Sequence, residues 1–310
     1  MDIKNSLPQF PEFIKLDISH KQLIDSYSSN FRPYSDYNFT SMLCYDVDEI
    51  MEISILNGNL IVKFSDYLDG SPFYSFLGKN QIMDTIEMLL DYSIKNLGKN
   101  YLGLIGEEIV QADMDIFSYF QVSENRDQFD YILNLDLLAN LNGKAFKSKR
   151  QLLSRFMRNH PNSEFRTIDL SLTQIQTEIL YLVFKWAHFG TEFQKEFDHE
   201  LSAIRKFIKY NEHFDFYCTG LFDNNRLIAF SLNELIDKPY SICHFMKADP
   251  SYSSSFNALD NFSAKELIKK GYTYLNIEQD LGLEGLRNSK MSLRPEFLLK
   301  KYTISRKEKI

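Results

Sequence analysis

GYTYLNIEQDLGLEGLRNSKMSLR, Gly271–Arg294, reads as a β-strand that ends in an acidic, glycine-punctuated turn and runs directly into a short helix. Strand alternation puts Tyr272, Tyr274, Asn276, Glu278 and Asp280 on one face and Thr273, Leu275 and Ile277 on the other. Amide and ionisable groups on one face of a core strand are costly unless they are paired or used. In the following helix, a rotation of about 100° per residue brings Leu283, Leu286 and Leu293 into one apolar stripe, with Lys290 inside it. A cation there snorkels to water or pairs with a buried anion. Glu278 and Asp280 are the anions in reach, so the stretch marks a candidate site.

Working outward, Ala258–Lys270 reads as a helix closed by Gly271, Ser241–Met246 as extended chain, and Phe216–Leu232 as a hairpin around Asp223-Asn224-Asn225. The first half repeats the plan. Glu52–Phe64 alternates around Asn57-Gly58, and an aromatic run, Phe73–Leu77, follows. Gln81–Leu97 is an amphipathic helix closed by Gly98; then come a strand, Tyr101–Ile105, and a helix over Glu107–Phe120. The order is matched although the residues are not, which predicts two related α/β modules, each a mixed twisted sheet flanked by helices. The division expected is 1–142 for the first module, 143–165 for a basic connecting helix and 166–310 for the second. The connector lies within Leu135–Pro161, a helical stretch interrupted at Asn142-Gly143, and Thr173–Phe189 and Asp198–Tyr210 are further helices.

The chain has 310 residues, enough for two domains. The N-terminus lacks the basic and apolar regions of a secretion signal. The longest apolar run, Ile179–Phe189, is too short to span a bilayer and contains Lys185 and His188. Cys44, Cys218 and Cys243 are odd in number and set among apolar residues, as buried free thiols of a reducing cytoplasm are. Charge is uneven. Residues 1–142 hold 22 acidic and 9 basic side chains; residues 143–310 hold 20 and 26. The basic half suits a polyanion, or simply offsets the acidic half.

No P-loop, GxGxxG, GxSxG or CxxC pattern occurs, and the six histidines show no HxxxH, so no metal site is expected. Within residues 144–158, Lys144, Lys147, Lys149, Arg150 and Arg155 are candidate contacts for tRNA phosphates or lipid headgroups; the other reading of that helix is a solvated face. The stretch 300–309 reads first as a tail, second as a polyanion contact. His244, beside Cys243, reads as a core histidine or a general base.

The twofold plan resembles the GNAT acyltransferase fold in tandem. GKAFKSKRQLLSRF (Gly143–Phe156) and YLNIEQDLGLEGLRNSKMSLRP (Tyr274–Pro295) resemble the DUF2156 family, related to the C-terminal catalytic region of phosphatidylglycerol lysyltransferases and, more distantly, to Fem-type aminoacyltransferases. The resemblance implies transfer of an aminoacyl group from aminoacyl-tRNA to a lipid or small-molecule acceptor, in the cytoplasm and without a resident cofactor. Direct attack needs an oriented acceptor, a proton path and an oxyanion donor. Glu278 or Asp280 would bind an ammonium or take its proton, and Asn276 would orient a carbonyl. Lys290 and Arg287 would meet a phosphate or carboxylate, with His244 and Tyr274 beside the substrate. The chain departs from the family pattern where Met246 stands for an acidic residue, Ile277 for an arginine, Leu152 for an asparagine and Ser254-Ser255-Phe256 for a Gly-Ala-Tyr-like turn. Two alternatives stay open: an acyl-CoA-dependent N-acyltransferase, although LGLEGLR offers glycines in the wrong register for a pyrophosphate turn, and a non-catalytic ligand-binding protein.

Overall fold

The computed structural model describes residues 7–187 and 194–307. Its strands are β1 (Ile14–Lys15), β2 (Glu52–Leu56), β3 (Asn59–Ser65), β4 (Pro72–Leu77), β5 (Tyr101–Gly106), β6 (Phe120–Glu124), β7 (Asp130–Asn134), β8 (Ser163–Ile168), β9 (Phe216–Asp223), β10 (Arg226–Leu235), β11 (Tyr240–Ala248), β12 (Tyr274–Asn276), β13 (Phe297–Leu299) and β14 (Lys301–Arg306). They form two seven-stranded mixed sheets, ordered β1-β2-β3-β4-β5-β14-β6 and β13-β7-β12-β11-β10-β9-β8.

The expected repeat of plan is present. In each sheet an antiparallel meander leads through a helix to a parallel strand: β2-β3-β4, helix Ile82–Leu97 and β5 in one; β9-β10-β11, helix Ser255–Lys269 and β12 in the other. Local chemistry sets these elements. Asn57 and Gly58 (φ 53° and 78°), like Asn224 and Asn225 (φ 49° and 64°), give both hairpins the left-handed pairs that match strand twist. Gly98 (φ 66°) and Gly271 (φ 88°) follow the two helices in conformations that glycine adopts without steric cost.

Three expectations are corrected. The helix over Glu107–Phe120 is two short helices, Glu107–Ala112 and Ile116–Tyr119, followed by β6; Asp113 is extended and breaks it. The presumed tail is β14, inserted between β5 and β6. Its Lys301 is buried and ion-paired to Asp36 and, at 2.7 Å, to Asp130. The strand over Tyr272–Asp280 is only Tyr274–Asn276. The helix Thr173–Phe189 is described over Thr173–Ala187, and residues 188 and 189 lie outside the described residues.

The two compact units are not the continuous stretches expected. One comprises the described residues of 1–130, 279–288 and 298–310; the other comprises those of 131–278 and 289–297. The basic helix, Lys147–Asn159, therefore belongs to the second unit rather than connecting two. The reason is strand exchange along the chain: β14 completes the first sheet and β7 the second.

In the second unit, Leu133, Leu135, Leu138, Ala264, Leu267 and Leu275 make one apolar cluster, and Phe156, Leu221, Ile228, Ala258 and Leu259 another. All three cysteines are buried and free.

Candidate functional site

Parallel strands that part open a crevice at their carboxyl ends, where ligands of α/β sheets bind. β11 and β12 are paired over three registers, Tyr240–Tyr274, Ser241–Leu275 and Ile242–Asn276. β11 then continues without β12, still paired with β10. The other chain stays with β7: Ile277 N–H donates to the Tyr131 carbonyl (3.0 Å) and Tyr131 N–H to the Glu278 carbonyl (3.2 Å). The Asn276 side chain drives the departure. Its Oδ1 accepts the Glu278 N–H at 2.7 Å, an Asx turn that competes with the ladder, and Glu278 takes φ 58°. Asn276 thus shapes the turn that presents Glu278. Beyond it, the alternation expected to align Glu278 and Asp280 on one strand face no longer applies.

Glu278 reaches back across the parting. Its Oε1 lies 3.1 Å from His244 Nδ1, and Glu234 Oε2 lies 2.9 Å from His244 Nε2. His244 is fully buried. It is also the extra residue of a β-bulge. Leu232 faces Phe245 and Asn233 faces Cys243, so His244 has no partner on β10 and is re-aimed. Phe207 and Phe216 pack beside its ring. Burial alone lowers an imidazole's affinity for a proton. The hydrogen bonds and charges of Glu234 and Glu278 outweigh it and raise His244 from 6.5 to about 9.

This shift has a stability consequence. The folded protein holds the proton that the unfolded chain releases near 6.5, so the contribution is complete below that pH and is lost as pH rises through about 9. The expected size is about 3 kcal/mol. Urea midpoints taken from pH 6 to 10 should fall across this window, and in His244→Gln they should not. Equal slopes would show that the ring carries no such proton.

The remaining candidates divide. Lys290 donates to the Ile277 carbonyl at 2.5 Å and lies over the Tyr131 ring, beside the parting. Asp280 belongs to another network, with Arg287 on both its oxygens (2.9 and 2.7 Å) and Arg126 at 3.1 Å. Arg287 also holds Asp127 (2.6 Å), and the two carboxylates raise its pKa. These two candidates are therefore engaged with each other. Tyr274 stacks on Tyr240, and its hydroxyl donates to Glu296 at 3.4 Å.

The basic helix divides too. Lys147, Arg155 and Arg158 are exposed and, with Arg150, line a groove of about 640 Å³. Lys144 is exposed just before the helix. Arg150 also donates to the carbonyls of Leu141 and Gly143. Lys149 turns inward to Ser292 (3.0 Å), where burial lowers its pKa and Asp260 opposes that effect. Burial pushes Asp260 itself up to about 6. Sequence reading passed over Glu234, Asp260 and Arg158. The signal for Glu234 was present, as a carboxylate near the end of the largely apolar strand RLIAFSLNEL.

In the first sheet the corresponding parting is bridged. β4 and β5 pair in parallel at Tyr74–Leu102, and the next positions are bridged: Ser75 Oγ donates to the Gly103 carbonyl at 2.5 Å. The buried Tyr37 hydroxyl lies 2.5 Å from Ser75 Oγ and donates to the Phe76 carbonyl. A tyrosine of the chain itself fills that parting.

The family described as phosphatidylglycerol lysyltransferase, C-terminal, matches residues 31–305. This chain belongs to that family. A conserved protein of unknown function from Bacteroides thetaiotaomicron VPI-5482 has 24% sequence identity and a TM-score of 0.82, covering 97% of this chain and 100% of that one. The C-terminal domain (DUF2156) of a putative lysylphosphatidylglycerol synthetase from Agrobacterium fabrum has 14% identity and a TM-score of 0.63, covering 94% and 93%. FemX has 9% identity and a TM-score of 0.57, covering 96% and 97%. At these identities the structural likeness establishes the fold, two mixed sheets flanked by helices. No curated protein sequence matches the chain.

Two positions expected to depart from the family pattern are related in space. Met246 and Ile277 pack against the same apolar cluster. Apolar residues can replace a buried ion pair without loss of stability, whereas removal of one partner is costly. Ser254, where the pattern has a small turn, sits at φ 70° before helix Ser255–Lys269. Leu152 is half-buried. Among the described residues, no group of acidic, histidine or cysteine side chains is arranged to hold a metal, and no helix is long and apolar enough to cross a membrane.

Proposed function

We propose that this chain transfers an aminoacyl group from aminoacyl-tRNA to an amine or hydroxyl of a lipid or small-molecule acceptor, in the cytoplasm, where β11 and β12 part. The observation that carries the reading is Glu278, a carboxylate presented by a left-handed turn into that parting and aimed by a histidine. The family supports the reaction class, because its members carry the name of a lysyltransferase.

The acceptor's nucleophile attacks the ester carbonyl, forming the new acyl bond. Its proton passes to the Glu278 carboxylate and from there to the ribose oxygen that leaves as the ester bond breaks. Neither a metal nor a covalent enzyme intermediate enters this scheme. Lys290, bound to the Ile277 carbonyl, braces the turn that carries the base. The groove of Lys147, Arg150, Arg155 and Arg158 offers tRNA phosphates a basic surface in the same unit.

The test is a transfer assay. tRNA charged with labelled amino acids is incubated with the protein and with a lipid and metabolite extract. RNase-resistant label is expected, and its absence in a competent extract would refute the proposal. A parallel thermal-shift screen with acyl-CoA separates the alternative donor. Binding of uncharged tRNA tests the groove. The triple variant Lys147→Glu, Arg155→Glu, Arg158→Glu should weaken binding at least tenfold. The slope of log affinity against log salt should drop by roughly two. An unchanged slope would return the helix to a solvated face.

A further inference from the structure

The carboxylates on both sides of His244 accept hydrogen bonds and, when ionised, cannot donate them. Each ring nitrogen faces one: Nε2 at 2.9 Å from Glu234 and Nδ1 at 3.1 Å from Glu278. With both carboxylates ionised, both contacts are hydrogen bonds only when both nitrogens carry hydrogen, which is the imidazolium form. The surroundings favour it. From β10 the facing charged group is Glu234, and from the turn after β12 it is Glu278. Helix Gln194–Lys209 and β9 offer the rings of Phe207 and Phe216. Exposure grades along the row, from a fully buried ring and a Glu234 side chain at 5% to a Glu278 side chain at 15%. The acid that opens to the crevice is therefore tied to two groups that do not.

We infer that Glu234 and His244 are positioning residues for Glu278: a buried imidazolium, anchored by Glu234, donates across the strand parting and fixes where the Glu278 carboxylate stands. Three features built for this purpose meet here. The bulge turns His244 out of register with β10, the Asx turn of Asn276 turns Glu278 toward it, and Glu234 places a carboxylate on the buried stretch of β10. A network that merely tied strand to strand would need neither the bulge nor the left-handed residue. The inference rests on the aminoacyl-transfer reading for its consequence, but not for its geometry.

The decisive variant is Glu234→Gln, which keeps the volume and an acceptor oxygen and removes the charge. Two readouts are taken. Nitrogen NMR of the histidine rings is recorded first. In the wild-type protein at pH 7.5, His244 should show two protonated nitrogens. Glu278→Gln should move the Nδ1 signal, and Glu234→Gln the Nε2 signal. A neutral ring in the wild-type protein would overturn the inference whether or not transfer occurs. The second readout is the pH profile of transfer. Loss of the imidazolium proton sets an alkaline limb, and Glu234→Gln should move it toward neutral by at least one pH unit. At pH 8.5, kcat should fall at least roughly threefold while KM holds. A superimposable profile from a folded variant would reduce the network to a structural tie. No transfer by wild-type protein that shows the imidazolium would count against the proposed reaction and, with it, the catalytic role of the clamp, while leaving the hydrogen-bonded clamp itself standing.

Discussion

Lys301→Met is expected to destabilise the first unit by about 3–5 kcal/mol, the range for removing one partner of a buried charge cluster. The Lys301 side chain is 1% exposed, and those of Asp36 and Asp130 are fully buried. Without the ammonium, two carboxylates face each other away from water. Ser35 donates to Asp130 through its N–H and its hydroxyl, both at 2.7 Å, and Tyr67 donates to Asp36 at 3.2 Å, but neutral donors do not supply the missing charge. Asp36 already shows the stress: burial raises its pKa despite the lysine. Adding Asp36→Asn to Lys301→Met should recover part of the loss, because one buried charge then disappears. Urea unfolding of the two single variants and the double variant measures this directly. A single-variant cost below about 1 kcal/mol would mean that water reaches the cluster.

Glu278→Gln is expected to lower kcat for transfer at least 100-fold, with KM nearly unchanged, since a positioned general base contributes about 10²–10⁴. The fold should survive, because the amide fits the same space and can still accept from His244. Asp280→Asn provides the contrast. Asp280 is fully buried and bound by two arginines, so neutralising it leaves Arg287 and Arg126 short of a counter-charge. Its expected effect is on unfolding, at about 2 kcal/mol or more, with the remaining folded enzyme turning over normally. Two acidic residues two positions apart would then separate by readout, one through rate and one through stability. If both variants lose only stability, Glu278 belongs to a structural network.

Much of the architecture is readable locally. The hairpin turns at Asn57-Gly58 and Asn224-Asn225 follow from the backbone conformations that these residues tolerate, and Gly98 and Gly271 mark the helix ends for the same reason. The repeated order of elements leads to two modules because each element's apolar period depends only on its own residues. The polar face of the candidate stretch can be read from the sequence, but its internal wiring cannot. Glu278, Asn276 and Lys290 meet at the β11–β12 parting, whereas Asp280 and Arg287 bind each other. The difference arises at one residue: the left-handed turn at Glu278 ends the alternation on which the sequence reading relied.

The sequence by itself determined the α/β class, the tandem plan, the family motifs and the charge asymmetry of the halves. These are properties of composition and short-range period. Only the tertiary structure decided which residues face one another. Lys301 reads as part of a basic tail until Asp36, 265 residues away along the chain, is found beside it. Glu234, His244 and Glu278 come from three separate segments, and a bulge that shifts register by one residue brings them together. A buried charge is tolerable only beside its partner, and that partner is set by strand order and register, which local pattern does not encode.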